Sequence, residues 1–319
     1  MTTLNQQPDI IPTLLSRESL TTQPATLWGL VRKRFLRRKS ALVGLAILGI
    51  LIFIAVFAPV IAPYHPEQVL IGVEDIRKRA APCIHLLGCP EDQPQHLMGV
   101  DGNVRDLFSR MLYGSRFSLI IGFTTVTFAI LIGATLGGIG GFLGGWLDDT
   151  IMRLMDVLLA FPSLLLAIAI VAVLGPGLIN ALLAIGIVSI PAYARVVRAS
   201  VLVVKEMDYV AASRALGASP LRLLQTRVLP NALTPLIVQG TLGIASAILD
   251  AAALSFLGLG AQPPTPEWGS MLGAERNQVF TAPHLVFYPG LAIMLTVLAF
   301  NLLGDGLRDA LDPRLAHIS

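Results

Sequence analysis

Residues Asp208-Tyr-Val-Ala-Ala-Ser-Arg-Ala-Leu-Gly217, followed by Ala-Ser-Pro-Leu-Arg-Leu-Leu-Gln-Thr-Arg-Val-Leu-Pro230, form a short polar island between long apolar stretches. Asp208 is of the type that caps a helix start, and Gly217 of the type that ends one in the left-handed conformation, so the first half reads as a two-turn helix. Ser219-Pro220 opens a second helix, which Pro230 is expected to end. A short, pre-capped helix held in water between apolar spans is suited to meeting a soluble partner. The alternative is an ordinary loop helix, and spacing alone does not separate the two.

The surroundings of the island belong in a bilayer. Hydrophobic residues make up 54% of the chain and charged residues only 13%, about half the charge of a soluble domain. Ala41 to Ala62, Phe117 to Leu147 and His284 to Gly304 carry no Asp, Glu, Lys or Arg, and Ala232 to Gly260 carries only Asp250. Val157 to Ala194 is also free of charge, but at 38 residues it is nearly twice the ~20 needed to cross once. Gly175-Pro176-Gly177 is therefore read as a turn between two spans. The expected fold is an all-α membrane protein with six transmembrane helices, near 41–62, 117–141, 153–174, 178–200, 231–257 and 284–304.

Orientation follows from Arg32, Lys33, Arg34, Arg37, Arg38 and Lys39, which crowd against the first span. Such clusters stay cytoplasmic, and against an apolar span the run reads as a topology signal rather than a nucleic-acid patch. Both termini and the 205–230 island then face the cytoplasm, while 64–116 and 261–283 face outward. The first 30 residues are polar and lack the apolar core of a signal peptide, so they read as a disordered cytoplasmic tail. Between Leu97 and Leu119 a Gly-rich turn leads into a segment with Leu107, Phe108, Met111 and Leu112 on one helical face. It is expected to be an amphipathic helix on the outer membrane surface, or else to pack against a neighbouring loop.

The island resembles the cytoplasmic "EAA" loop of ABC importer permeases, in which Glu-Ala-Ala, three residues and Gly are followed by Ile-x-Leu-Pro. Ala211, Ala212 and Ser213 take the first three places, Gly217 the glycine, Arg227 the isoleucine, and Leu229-Pro230 the end. Ala211 stands where the family has Glu, so any salt bridge made by that Glu is absent here or made otherwise. Leu97 to Leu119, with Val100 and Val104 in place of Thr and Gly, is similar to the segment before the second span in C-type permeases of dipeptide and oligopeptide importers. Leu254-Ser-Phe-Leu-Gly-Leu-Gly-Ala-Gln-Pro-Pro-Thr-Pro-Glu-Trp-Gly-Ser-Met-Leu272 and Asn301-Leu-Leu-Gly-Asp-Gly-Leu-Arg-Asp-Ala-Leu-Asp-Pro313 resemble the same family.

That resemblance implies a type I ABC importer permease fold, divided as follows: a cytoplasmic tail at 1–39, a first transmembrane helix at 40–63, and a periplasmic loop at 64–116. A five-helix core at 117–305 contains the coupling loop 201–230, and a cytoplasmic tail closes the chain at 306–319. It implies inward movement of dipeptides or short oligopeptides across a bacterial inner membrane. The implied partners are a second homologous permease, two ABC ATPase subunits and a periplasmic peptide-binding protein. Asp208, Tyr209, Ala211, Ala212, Ser213, Arg214, Gly217, Leu229 and Pro230 are the residues expected to couple to the ATPases, with Arg214 meeting a carboxylate in the ATPase groove. Nickel, a metallophore or haem is the alternative cargo.

The residues themselves agree that energy comes from elsewhere. No Gly-x-x-x-x-Gly-Lys-Ser/Thr occurs and the only lysines are at 33, 39, 78 and 205, so ATP and Mg are expected on the partner subunits and no cofactor on this chain. No Gly-x-Ser-x-Gly or intramembrane pair of carboxylates is present, so no catalytic residue is assigned. A proton-coupled secondary transporter, the reading from another class, needs several intramembrane ionisable residues. Asp250 alone lies well inside a span, either braced by backbone or an arginine near the outer surface, or lining the path. Cys83 and Cys89, beside His85 and His96, do not have a recognised zinc spacing; on an oxidising outer face they are expected to form a disulfide. Gly133, Gly137 and Gly141 allow close helix packing, within this chain or against a second permease.

Overall fold

The computed structural model describes residues 27–311. Five of its helices are long and apolar enough to cross a bilayer: α2 (Lys39–Ile61), α3 (Leu107–Leu143), α6 (Leu178–Val204), α10 (Thr234–Phe256) and α12 (His284–Leu311). The bent pair α4 (Gly145–Leu159) and α5 (Ser163–Leu174) is long and apolar enough to make a sixth if the two count as one span. Preceding α2 is α1 (Leu27–Arg37). The island holds α7 (Asp208–Ala215), α8 (Pro220–Leu223) and α9 (Leu229–Ala232), and α11 (Trp268–Ala274) lies between α10 and α12. No extended strands form among the described residues.

Several expectations are corrected. The third span is not one helix over 153–174: the chain turns by 90° between α4 and α5, because Pro162 disfavours helix at Phe161 and lacks the amide to continue the ladder. Residues 97–119 do not make a separate surface helix. The helix runs unbroken from Leu107 to Leu143, ~55 Å at 1.5 Å per residue and so longer than the ~30 Å hydrocarbon layer. Its first turns are buried on both faces, Ser109 and Arg110 as well as Leu107, Met111 and Leu112. The 1–39 tail includes α1, and the 306–319 tail includes the last turns of α12; residues 1–26 and 312–319 lie outside the described part.

Glycine sets the central packing. A Cβ at Gly133 would lie 2.8 Å from Tyr193 Cβ, one at Gly141 3.1 Å from Arg198 O, and one at Gly137 would overlap the Ala194 carbonyl. These three residues lie one turn apart on α3 and let α6 approach to backbone contact. The stripe is therefore used within this chain, and α3 with α6 is its most extensive helix pair.

At one end of α3 the loops 62–106 and 257–283 close into a polar collar. Asp101 Oδ1 accepts from the Asn103 and Arg105 amides, both at 2.9 Å, and its Oδ2 from Arg105 Nε at 2.8 Å. Arg110 Nη1 donates to the carbonyls of Pro66 (2.9 Å) and Pro264 (3.1 Å), tying the two loops together. Glu275 accepts from Arg79 Nε and the Gly102 amide, each at 2.8 Å. His96, fully buried, places Nδ1 2.8 Å from Asp106 Oδ1 and Nε2 3.0 Å from Glu74 Oε2. Burial opposes charge on the imidazole, but the hydrogen bonds to Asp106 and Glu74 outweigh it and hold His96 above its usual 6.5. Burial, reinforced by the Glu74 carboxylate that accepts its hydroxyl, pushes Tyr64 up to about 12. The structure joins Cys83 to Cys89, and the Cys83 and His96 backbones exchange two hydrogen bonds of 2.9 and 3.0 Å.

Candidate coupling site

The island sits at the other end of α3. Lys205, just past α6, donates its Nζ to Gly141 O at 3.0 Å, while the opposite end of α6 is held to the collar by the Gly177 amide on Leu259 O. Two ion pairs brace the same foot: Arg198 clasps Asp148 through Nε and Nη2, each at 2.6 Å, and Arg195 meets Asp156. These anchors were not singled out from sequence. Their signal is the pair Asp148-Asp149, separated by two residues from Gly144-Gly145, charge placed just past the end of a glycine-rich helix.

Within the island, α7 is closed at its C-terminus as expected. Gly217 has φ +86°, its amide bonds Arg214 O at 3.0 Å, and the Ala218 amide bonds Ser213 O at 3.2 Å. That is the double closure of a Schellman motif, which ties down two carbonyls the helix would otherwise leave open. The start differs from expectation. Met207 occupies the cap position and Asp208 is the first helical residue, with no side-chain cap bond. Its carboxylate still lies in the first turn, at the positive end of the helix dipole.

Pro230 also differs, for it does not end a helix. The chain runs from α8 through a wide π turn at Leu224–Val228 directly into α9, with Pro230 inside it. A proline ring inside a helix collides with the carbonyl four residues back. Opening the preceding turn by one residue relieves that collision.

One side of the island is anchored and the other is bare. Val210, Leu223, Val228 and Ala232 are buried in the main core. Asp208, Tyr209, Ala211, Ala212, Arg214, Gly217 and Pro230 are exposed, Ser213 and Leu229 half-buried, and Leu216 projects at 89% exposure. Between α7 and the π turn lies a cleft of about 570 Å³. Ser213, Leu216, Gly217, Leu223, Arg222 and Arg227 are among the residues lining it. Among the described residues, no ion pair involves Asp208, Arg214, Arg222 or Arg227. The result is a firmly seated, cation-lined surface whose charges are uncommitted.

The other sequence candidates lie apart from it. Cys83 and Cys89 are in the collar, and Asp250 is half-buried on α10. Among the described residues, neither a backbone group nor an arginine forms a hydrogen bond or ion pair with the Asp250 carboxylate.

Comparison with known proteins agrees with this architecture. Residues 129–317 match the family described as "binding-protein-dependent transport system inner membrane component". Residues 26–82 match the "N-terminal TM domain of oligopeptide transport permease C". The chain is 52% identical over 283 residues to a di/tripeptide transport system permease protein of Pseudomonas aeruginosa, covering 89% of this chain and 91% of that one. A dipeptide transport system permease protein of Alkalihalophilus pseudofirmus is 47% identical, with 90% of each chain covered. A glutathione transport system permease protein of Pectobacterium atrosepticum is 45% identical over 91% of this chain and 92% of its own. Among solved structures, the inward-facing MetNI methionine ABC transporter aligns with TM-score 0.52 at 20% identity, over 64% of this chain and 97% of that one, a likeness of fold. The chain belongs to the family of binding-protein-dependent transport system inner membrane components.

Proposed function

We propose that this chain is the C-type permease subunit of an ATP-driven importer of dipeptides or short oligopeptides. The observation that carries the reading is the island: a rigid two-turn helix, seated by Val210 and closed at Gly217, with bare cations and an exposed Leu216. A rigid element passes on a rigid-body shift that a floppy loop would absorb. In this reading a cytoplasmic ATPase subunit grips α7 and the cleft beside it, and a second subunit does the same on a homologous permease. ATP and Mg stay with those subunits. The collar faces the periplasm, where a soluble peptide-binding protein delivers cargo. The names of the relatives support the cargo, and the basic cluster at 32–39 supports the orientation.

Two measurements test this. The complex of this chain with its permease, ATPase and binding-protein partners, reconstituted in vesicles, is expected to accumulate labelled dipeptide only when ATP is supplied; ATP-driven uptake of other solutes with none of dipeptide contradicts the cargo. For orientation, a cysteine at Leu216 is expected to react with an impermeant maleimide from the cytoplasmic side only. One at Phe280, which is 98% exposed in the collar, is expected to react from the opposite side only.

A further inference from the structure

Asp250 does not stand alone on its helix. At 100° per residue, Gln239, Ser246 and Asp250 fall within about 40° of one another on α10. Ile244, Ile248 and Ala252, on the far side, are buried against the rest of the chain. Gln239 and Asp250 are half-buried and Ser246 is exposed, so the polar stripe runs along the border between the face of α10 packed against α6 and the face that the described residues leave open. Gly243 continues the stripe, and the Tyr193 hydroxyl of α6 sits so close that a Cβ there would overlap it. Ser246 Oγ reaches only its own helix, Leu242 O at 3.5 Å, and among the described residues neither Gln239 nor Asp250 has a side-chain partner.

A carboxylate in hydrocarbon is costly and almost always faces a partner or a water-filled path. Among the described residues no group of three His, Cys, Asp or Glu side chains is placed to hold a metal ion, so a divalent cation is a poor match for Asp250. One isolated anion suits one monovalent cation. A peptide brings such a group whatever its side chains are: its terminal ammonium. Asp250 lies six residues from the collar end of α10, ~9 Å along the axis, where cargo arriving through the collar would first enter the bilayer.

Resting on the peptide-import reading above, we propose that the stripe Gln239–Ser246–Asp250 lines the translocation path and that Asp250 receives the terminal ammonium of the passing peptide. Gln239 and Ser246 supply neutral hydrogen bonds further along the path. The peptide is thus held by its invariant end, and its side chains are left unread.

The test uses the assembled complex carrying Ser246→Cys, one turn from Asp250. The two native cysteines are Cys83 and Cys89, joined to each other in the collar. N-ethylmaleimide is expected to label position 246, and a dipeptide is expected to slow that labelling. The concentration that halves the rate should be about tenfold higher, or more, for the N-acetylated dipeptide, since a hydrogen bond to a charged group is at stake. Adding Asp250→Asn should remove the difference, and Asp250→Glu should restore most of it. The proposal is overturned if position 246 does not react, if both dipeptides protect equally, if the preference survives Asp250→Asn, or if that variant loses the second permease. The last result would make Asp250 a brace for the neighbour's cation. Failure of the peptide reading is separate, because it appears as absent dipeptide uptake with the unaltered chain.

Discussion

The collar and the island treat their charged side chains in opposite ways. In the collar, Asp101, Asp106 and Glu275 are buried and each accepts at least two hydrogen bonds from named partners. In the island, Asp208, Arg214, Arg222 and Arg227 are exposed and unpaired within the described chain. Both regions are anchored to the bundle, so the contrast is not between order and disorder. The collar satisfies most of its buried polar groups internally, Arg110 Nε and His284 Nε2 being exceptions. The island is finished on the side that meets the bundle and open on the other, as expected of a surface completed by a second protein.

Breaking the collar should therefore cost stability, and breaking the island should cost coupling. The largest expected effect is that of Asp101→Ala, which leaves Arg105 and the nearby amides unpaired in a buried setting at roughly 3 to 5 kcal/mol. Thermal unfolding of the purified complex is expected to shift down sharply, and an unchanged midpoint would show that the collar network is ornamental. Next comes the Cys83–Cys89 link. Replacing both with serine should loosen the 83–96 segment by about 2 kcal/mol, read as faster amide exchange there with no change in the island; mass spectrometry after alkylation without reductant reports whether the link forms.

The collar should also respond to pH. His96 is held above its usual 6.5 by Asp106 and Glu74, so its contribution is fully present below the unfolded value and is lost as pH rises through the folded value. Collar stability is expected to fall on going from pH 6 to pH 8, with the slope flattened by His96→Gln. An equal slope in that variant would move the effect to another group.

Much of this contrast was legible in the sequence. Uncharged runs marked the spans, and the Asp208–Gly217 stretch marked a short helix with a glycine stop, because both signals are local. The breaks were harder to see. Pro162 divides α4 from α5, whereas Pro230 sits inside a continuing helix, and the difference lies in the π turn at Leu224–Val228, which no residue type announces. The segment before α3 differs in another way: its polar residues are buried, Arg105 against Asp101 and Asp106 against His96, while Arg110 finds its partners in the carbonyls of Pro66 and Pro264, far away in the chain.

Substitutions in the island are expected to have small structural effects and large functional ones. Gly217→Val meets no neighbour, since nothing lies within 4 Å of a Cβ there, but its φ of +86° costs a β-branched residue roughly 1 kcal/mol or more. The complex should assemble, with α7 misdirected and ATP-driven uptake lost. Normal uptake by this variant would mean that the angle of α7 is immaterial.

Arg214→Glu changes the fold least of all. The side chain is exposed and outside any described ion pair, so its effect on stability should stay within about 0.5 kcal/mol. The most direct test of the coupling account is ATP hydrolysis by the reconstituted complex carrying this change, measured with and without peptide-loaded binding protein. Insertion and unfolding midpoint are expected to match those of the unaltered complex while stimulation by peptide disappears, because like charges would then face each other at the ATPase surface. Full stimulation at the normal rate would contradict it and return the island to an ordinary loop.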